Sequence, residues 1–375
     1  MQLNYKVKRL LEIKKFESMF NNQEFSIKVS LNSQGLRDTY HPFKKSNGIF
    51  RIVTIGDSMT FGIGVNLDDS YPKVFEKILN LEDKTRHYEV INISSLGVGP
   101  VQYVDYLNSI GYRFHPDLVI IEFSVDNDIF DASSAREITN PLLYKIYTFL
   151  IHHSYLFCFL KSKISLIRDK FIIYSTLKKI LNKREDIFSD THLKDLAKKA
   201  GVNINVLKQR INHIDPEILS KARQDPIVLW KTEIALMFPD INIKAFSPNK
   251  VFPENGWRKT KRSLRRIKET CDKMGAKLLL VVIPSRHQIS SIYWRESEKY
   301  GFRFTNQCLQ RCKAQKLLED FCKKHAIEFL DLYYVIKEKK EQNLYYPIDG
   351  HLTKNGYHLV AKEIAKKVLT IVTES

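Results

Sequence analysis

Residues 51–62 read RIVTIGDSMTFG. A short run rich in β-branched side chains ends at Gly56 and gives way to an acid and a serine, which predicts a strand that stops at a turn. Similar runs recur along the chain: EVINI at 89–93, LVIIEF at 118–123, KLLLVVI at 277–283 and EFLDL at 328–332. Between them lie helical patterns. Ser70 before Tyr71-Pro72 predicts an N-cap and an early helical proline. Residues 102–111 end at a C-cap glycine. Leu264, Ile267, Cys271 and Met274 recur at helical spacing before Gly275, and residues 311–325 form a further helix. A last helix starts near Lys354 with Thr353 as its cap. Near-continuous apolar strands alternating with amphipathic helices predict an α/β fold with a five-stranded parallel sheet covered on both faces.

The rhythm stops after Asp131 and returns at Thr260. The predicted organisation is therefore an N-terminal lead-in at 1–49, polar and irregular, and a first core part at 50–130. A large helical, cap-like insertion at 131–260 and a second core part at 261–375 follow. Within the insertion, residues 146–160 are apolar but shorter than the roughly 20 residues a spanning helix needs. They predict a buried or interfacial helix, with Phe149 and Phe157 as candidates for an acyl-binding wall.

The chain has 375 residues and a formal net charge of +18. Its Gly and Pro contents, 14 and 12, exclude collagen-like and linker-dominated architectures. The charge suggests an anionic glycan or a membrane surface as partner. Its densest run is Arg258, Lys259, Lys261, Arg262, Arg265, Arg266 and Lys268. It shares a helix with the apolar face of Leu264 and Ile267, so it reads as a solvated helix side. With no aromatic interleaving and no DNA-binding motif, nucleic acid is not expected. The five cysteines lack metal-site or disulfide spacing and read as structural thiols. No metal or cofactor is expected. No secretory signal opens the chain, and the expected location is cytoplasmic or peripheral to a membrane.

Open parallel sheets bind ligands beyond the carboxyl ends of their strands. At those ends stand Ser58, Gly97, Asn127 and Arg286-His287, and near the C-terminus Asp349-Gly350-His351. Together they supply an acyl-transfer site. Ser58 is the candidate nucleophile, His351 its base, and Asp349 the group that fixes the histidine tautomer. The Ser58 and Gly97 N–H groups and the Asn127 amide are candidate oxyanion donors. Asp126, Arg286 and His287 are candidates for substrate contact. His287 and His358 are rival histidines, each read as structural or substrate-contacting.

These blocks resemble the SGNH (GDSL) hydrolase superfamily. Gly56 through Gly62 resembles its nucleophile block, Asn92 through Gly97 its glycine block, Asn127-Asp128 its asparagine block, and Asp349 through Gly356 its histidine block. Asn32 through Asp38 and Leu279 through Ser285 resemble segments of bacterial members. The resemblance covers about 50–130 and 265–370. It implies a three-layer α/β/α flavodoxin-like core and a Ser58-His351-Asp349 acyl-enzyme mechanism. This chain departs from the usual Asp-x-x-His spacing and carries Asp126 where a glycine commonly precedes the asparagine. The expected activity is a serine esterase acting on O-acyl, acetyl-type esters of a carbohydrate or cell-envelope glycan. The alternatives are an O-acyltransferase to a sugar hydroxyl at the same site, and a catalytically degenerate protein that binds an anionic polymer.

Overall fold

The computed structural model describes residues 16–135, 137, 143 and 188–374. The apolar stretch 146–160 and Cys158 lie outside these residues. The chain forms two compact units. One takes in the described residues of 1–166 with 252–285 and 314–375; the other takes in those of 167–251 with 286–313.

The first unit holds five parallel strands: β3 (Ile49–Gly56), β4 (His87–Ser94), β5 (Leu118–Ser124), β6 (Lys277–Ile283) and β7 (Glu328–Asp331), in the order β4-β3-β5-β6-β7. They fall where the sequence predicts them, within one or two residues at each end. β5 is buried at every position, as a strand covered on both faces must be. The strand order reverses direction beside β3, since β4 lies on one side of it and β5 on the other. That is the flavodoxin-like order, and its switch point lies at the carboxyl ends of β3 and β5.

Helix Glu254–Met274 buries Trp257, Leu264, Ile267 and Cys271 and ends at Gly275 in the left-handed region. The basic run on its other side is partly engaged within the unit. Lys259 donates to the carbonyls of Ser133 and Ala135, and Arg262 and Arg266 pair with Glu137. Helix Lys354–Thr373 is capped by the Thr353 hydroxyl, which accepts from Gly356 N. Ser70 does not cap helix Tyr71–Glu82 through its side chain; its hydroxyl turns back to donate to the Leu67 carbonyl at 2.6 Å.

The lead-in differs from expectation. Residues 16–31 form an antiparallel hairpin of β1 (Phe16–Asn21) and β2 (Ser26–Leu31). β2 alternates strictly between exposed and buried positions. Its Ile27, Val29 and Leu31 pack with Phe61, Ile63 and Leu96, so the hairpin closes over two of the loops at the strand ends.

The second unit is helical among its described residues. Helices Asp190–Ala200, Ile204–Ile211, Pro216–Ala222 and Pro226–Met237 surround Leu193, Leu196, Leu207, Ile214, Ile218 and Leu236. The four described cysteines, Cys271, Cys308, Cys312 and Cys322, are buried. No helix among the described residues is long and apolar enough to cross a membrane.

Candidate active site

β3 ends at position 56, which is glycine because a side chain there has no room. A Cβ would fall 2.0 Å from Thr60 Oγ1 and 2.7 Å from Glu122 Oε2. The chain then turns into the single helical turn Ser58–Phe61. Asp57 caps it by accepting from Met59 N at 2.8 Å, and Gly62, at φ 86°, closes it. Arg37, 2% exposed, donates to the carbonyls of Phe61, Gly62 and Val65 at 2.6–2.7 Å. A buried guanidinium thus satisfies backbone acceptors at the end of this turn, where the helix partial charge is negative.

The turn leaves Ser58 half-buried, with its hydroxyl 2.8 Å from His351 Nε2. The opposite ring nitrogen, Nδ1, is hydrogen-bonded to Asp349 Oδ1. Gly350, at φ 95°, makes the short Asp-x-His spacing workable. Its positive φ folds the backbone back, so that an acid two residues before the histidine reaches the ring. Tyr346 N donates to the His351 carbonyl at 2.9 Å and fixes the same turn.

Gly97 also has positive φ, 58°, and a Cβ placed there would meet nothing within 4 Å. Glycine is favoured at this position by backbone conformation rather than by crowding. Asn127 follows β5. Its side-chain nitrogen donates to Asp57 Oδ2 at 2.9 Å and to Asp131 Oδ2 at 3.0 Å. An amide nitrogen carries two hydrogens, so two carboxylates occupy both.

Behind Ser58 lie two buried acids, Glu122 and Asp128, of which the sequence reading named only Asp128, within the asparagine block. Glu122 accepts from Thr60 Oγ1 at 3.1 Å, and Thr60 in turn meets the Tyr71 hydroxyl at 2.8 Å. Burial and the charges of Asp57 and Asp128 push the Glu122 carboxyl well above its usual range. Burial and the charges of Asp57 and Asp131 do the same to Asp128, which accepts from Tyr103 Oη at 2.9 Å and from Ser124 N at 3.0 Å. The signal for Glu122 was one acid inside an otherwise apolar strand.

The structure therefore brings Ser58, His351 and Asp349 together, and joins Asn127 to the Asp57 cap. Asp126 is half-buried, between buried Val125 and Asn127. Arg286 and His287 belong to the second unit. There the His287 ring packs against Phe304 with centroids 4.9 Å apart, and Nε2 lies 3.0 Å from Ser297 Oγ. Burial and the neighbouring Arg286 and Lys231 charges hold that imidazole well below its usual range. His358, in the last helix, lies 3.3 Å from Asp69. Among the described residues no cluster of three or more His, Cys, Asp or Glu is arranged to hold a metal ion.

The family described as SGNH hydrolase-like domain, acetyltransferase AlgX, matches residues 245–373. That segment carries Asp349 and His351 but not Ser58. No curated protein sequence matches the chain. Among solved structures it is similar to a lipolytic protein of the G-D-S-L family from Desulfitobacterium hafniense DCB-2, at 12% identity over 85% of this chain and 99% of that one, TM-score 0.38. It is similar to a lipase/acylhydrolase from Enterococcus faecalis at 13% identity over 85% and 94% of the two chains, TM-score 0.39. It is also similar to the acetyl xylan esterase AlAXEase at 10% identity over 86% and 99%, TM-score 0.39. At such TM-scores the fold rests on the strand order, not on these likenesses.

Proposed function

We propose that this chain is an SGNH (GDSL)-type enzyme acting on ester bonds, a serine-dependent esterase of O-acyl groups. The observation that carries the reading is the 2.8 Å approach of Ser58 Oγ to His351 Nε2, with Asp349 bound to the other ring nitrogen. Nucleophile, base and orienting acid stand in the relation that acyl transfer requires.

Ser58 Oγ attacks the ester carbonyl as His351 Nε2 takes its proton. Asp349 keeps Nδ1 protonated, so that Nε2 is free to accept, and stabilises the imidazolium. The oxyanion is received by the N–H groups of Ser58 and Gly97 and by the Asn127 amide once one of its carboxylate partners gives way. Collapse breaks the ester C–O bond, and the imidazolium returns the proton to the departing alkoxide. Water, deprotonated by His351, then releases the acid and restores Ser58.

The acyl group proposed is acetyl and the alcohol a carbohydrate hydroxyl. The acetyltransferase description of the family that matches the Asp349-His351 segment supports the acetyl group. The same match favours a second reading, in which a sugar hydroxyl replaces water in the last step. The test is labelling by a fluorophosphonate probe, alongside Ser58→Ala. Labelled wild type and unlabelled, folded Ser58→Ala are expected. Folded wild type that resists the probe would overturn the enzyme reading. Mass spectrometry of products formed from an acetyl ester, with an oligosaccharide acceptor present, separates hydrolysis from transfer.

A further inference from the structure

The β1–β2 hairpin stands outside the parallel sheet, yet its turn reaches the triad. Asn22 N donates to the Phe25 carbonyl at 3.0 Å. Asn22 Oδ1 accepts from Glu24 N at 2.8 Å and from Phe25 N at 2.9 Å. This self-capped turn commits the oxygen of the Asn22 side chain and leaves its nitrogen to donate to Asp349 Oδ2 at 3.2 Å. The Glu24 carboxylate accepts from Ile348 N at 3.0 Å and Asp349 N at 2.6 Å. The Phe25 ring lies 5.1 Å from that of Tyr346, whose hydroxyl donates to the Gly64 carbonyl at 3.0 Å.

We propose that Asn22 and Glu24 at the hairpin turn are positioning residues that hold Asp349, and through it His351, in register with Ser58. The inference rests on the triad reading above. Three observations make the hairpin more than a cover. One oxygen of Asp349 faces His351 and the other faces Asn22, so the carboxylate is held against rotation at both ends. With one residue between them, Asp349 and His351 share a single turn, and whatever fixes Asp349 N also sets the His351 backbone. The hairpin is itself anchored by Ile27, Val29 and Leu31 to Phe61, Ile63 and Leu96, which belong to the loops bearing Ser58 and Gly97. One element thus references the acid to the nucleophile, as support from outside the reacting groups must.

Asn22→Asp isolates the contact. It keeps the oxygen that caps the turn, and it replaces the N–H facing Asp349 with a repelling carboxylate oxygen. The expected result is a folded protein whose Ser58 labels about tenfold more slowly with the fluorophosphonate, the scale of one charge-assisted hydrogen bond. The NMR resonance of the His351 Nδ1 proton should move. In an Asp349→Asn background the same change should cost no further labelling rate. Glu24→Gln, which can accept only one of its two N–H partners, serves as the second variant and should slow labelling in the same sense. Wild-type rate and an unmoved resonance in folded Asn22→Asp and Glu24→Gln would overturn the proposal. So would a loss of equal size in the Asp349→Asn background, because that is general damage. Failure of the triad reading shows differently, as wild type that never labels. The resonance then still decides whether the hairpin holds Asp349.

Discussion

Replacing Asp131 by alanine should make the protein faster. Asn127 can stabilise an oxyanion only through an N–H, and both of its amide hydrogens are taken, by Asp57 at 2.9 Å and Asp131 at 3.0 Å. Asp57 is committed, since its other oxygen caps the Ser58 turn. Asp131 is therefore the partner that must release. A hydrogen bond to a charged group is worth about 1.5–3 kcal/mol, which the transition state forfeits when the amide turns away. The lower end gives a rise of roughly tenfold in kcat/KM. Alanine keeps the Cβ that lies against Gly99, so local packing survives. The assay is the second-order rate of acetyl-ester hydrolysis for wild type, Asp131→Asn and Asp131→Ala. Asparagine, uncharged but still able to accept, should fall between the other two. A folded Asp131→Ala with an unchanged or lower rate would show that Asp131 supports Asn127 rather than restraining it.

Asn127→Ala should lower turnover by about 10²–10³-fold, the scale of a lost oxyanion donor. The loss should be larger in the Asp131→Ala background, where the amide is free to act; equal losses would mean the two residues are not coupled. Glu122, raised by burial and by Asp57 and Asp128 from an ordinary value of 4.5, holds a proton in the folded state that the unfolded chain gives up. Its contribution is fully present below that pH and is lost as pH rises. Glu122→Gln should therefore flatten the fall in stability as pH rises above about 4.5 in urea unfolding, and an unchanged slope would mean the native carboxyl is ionised. Arg37→Met strips donors from the three carbonyls it serves and should cost about 3 kcal/mol or more; a urea midpoint equal to wild type would refute that.

The strands were legible because burial on both faces demands unbroken apolar runs, and LVIIEF admits little else. Ser58 was legible as a chemical residue placed where such a strand ends, and Asp349 and His351 as an acid and a histidine just before the last helix. The hairpin was missed although SIKVSL alternates with period two, because the flanking Asn and Gln residues read as turn. Asn22, Glu24 and Asp131 carried no signal of their own, and Glu122 only that of one acid inside an apolar strand. Asn22 meets Asp349 across 327 positions and Glu24 across 325, and no local spacing marks such a contact. The Asn127–Asp131 pair, four apart on one helical turn, was open to sequence reasoning, but only if the amide was first known to face the helix.

The bond between Ser58 and His351 spans 293 positions, and that between Asn22 and Asp349 spans 327. Contacts of such separation carry a high loop-closure cost and form late in folding. Secondary structure in the sheet can assemble while Ser58 is still an ordinary, unreactive alcohol. During refolding, probe reactivity should thus lag the far-ultraviolet signal of the strands. A chain whose C-terminal turn has not yet docked holds Ser58 without His351, and its serine should resist the probe.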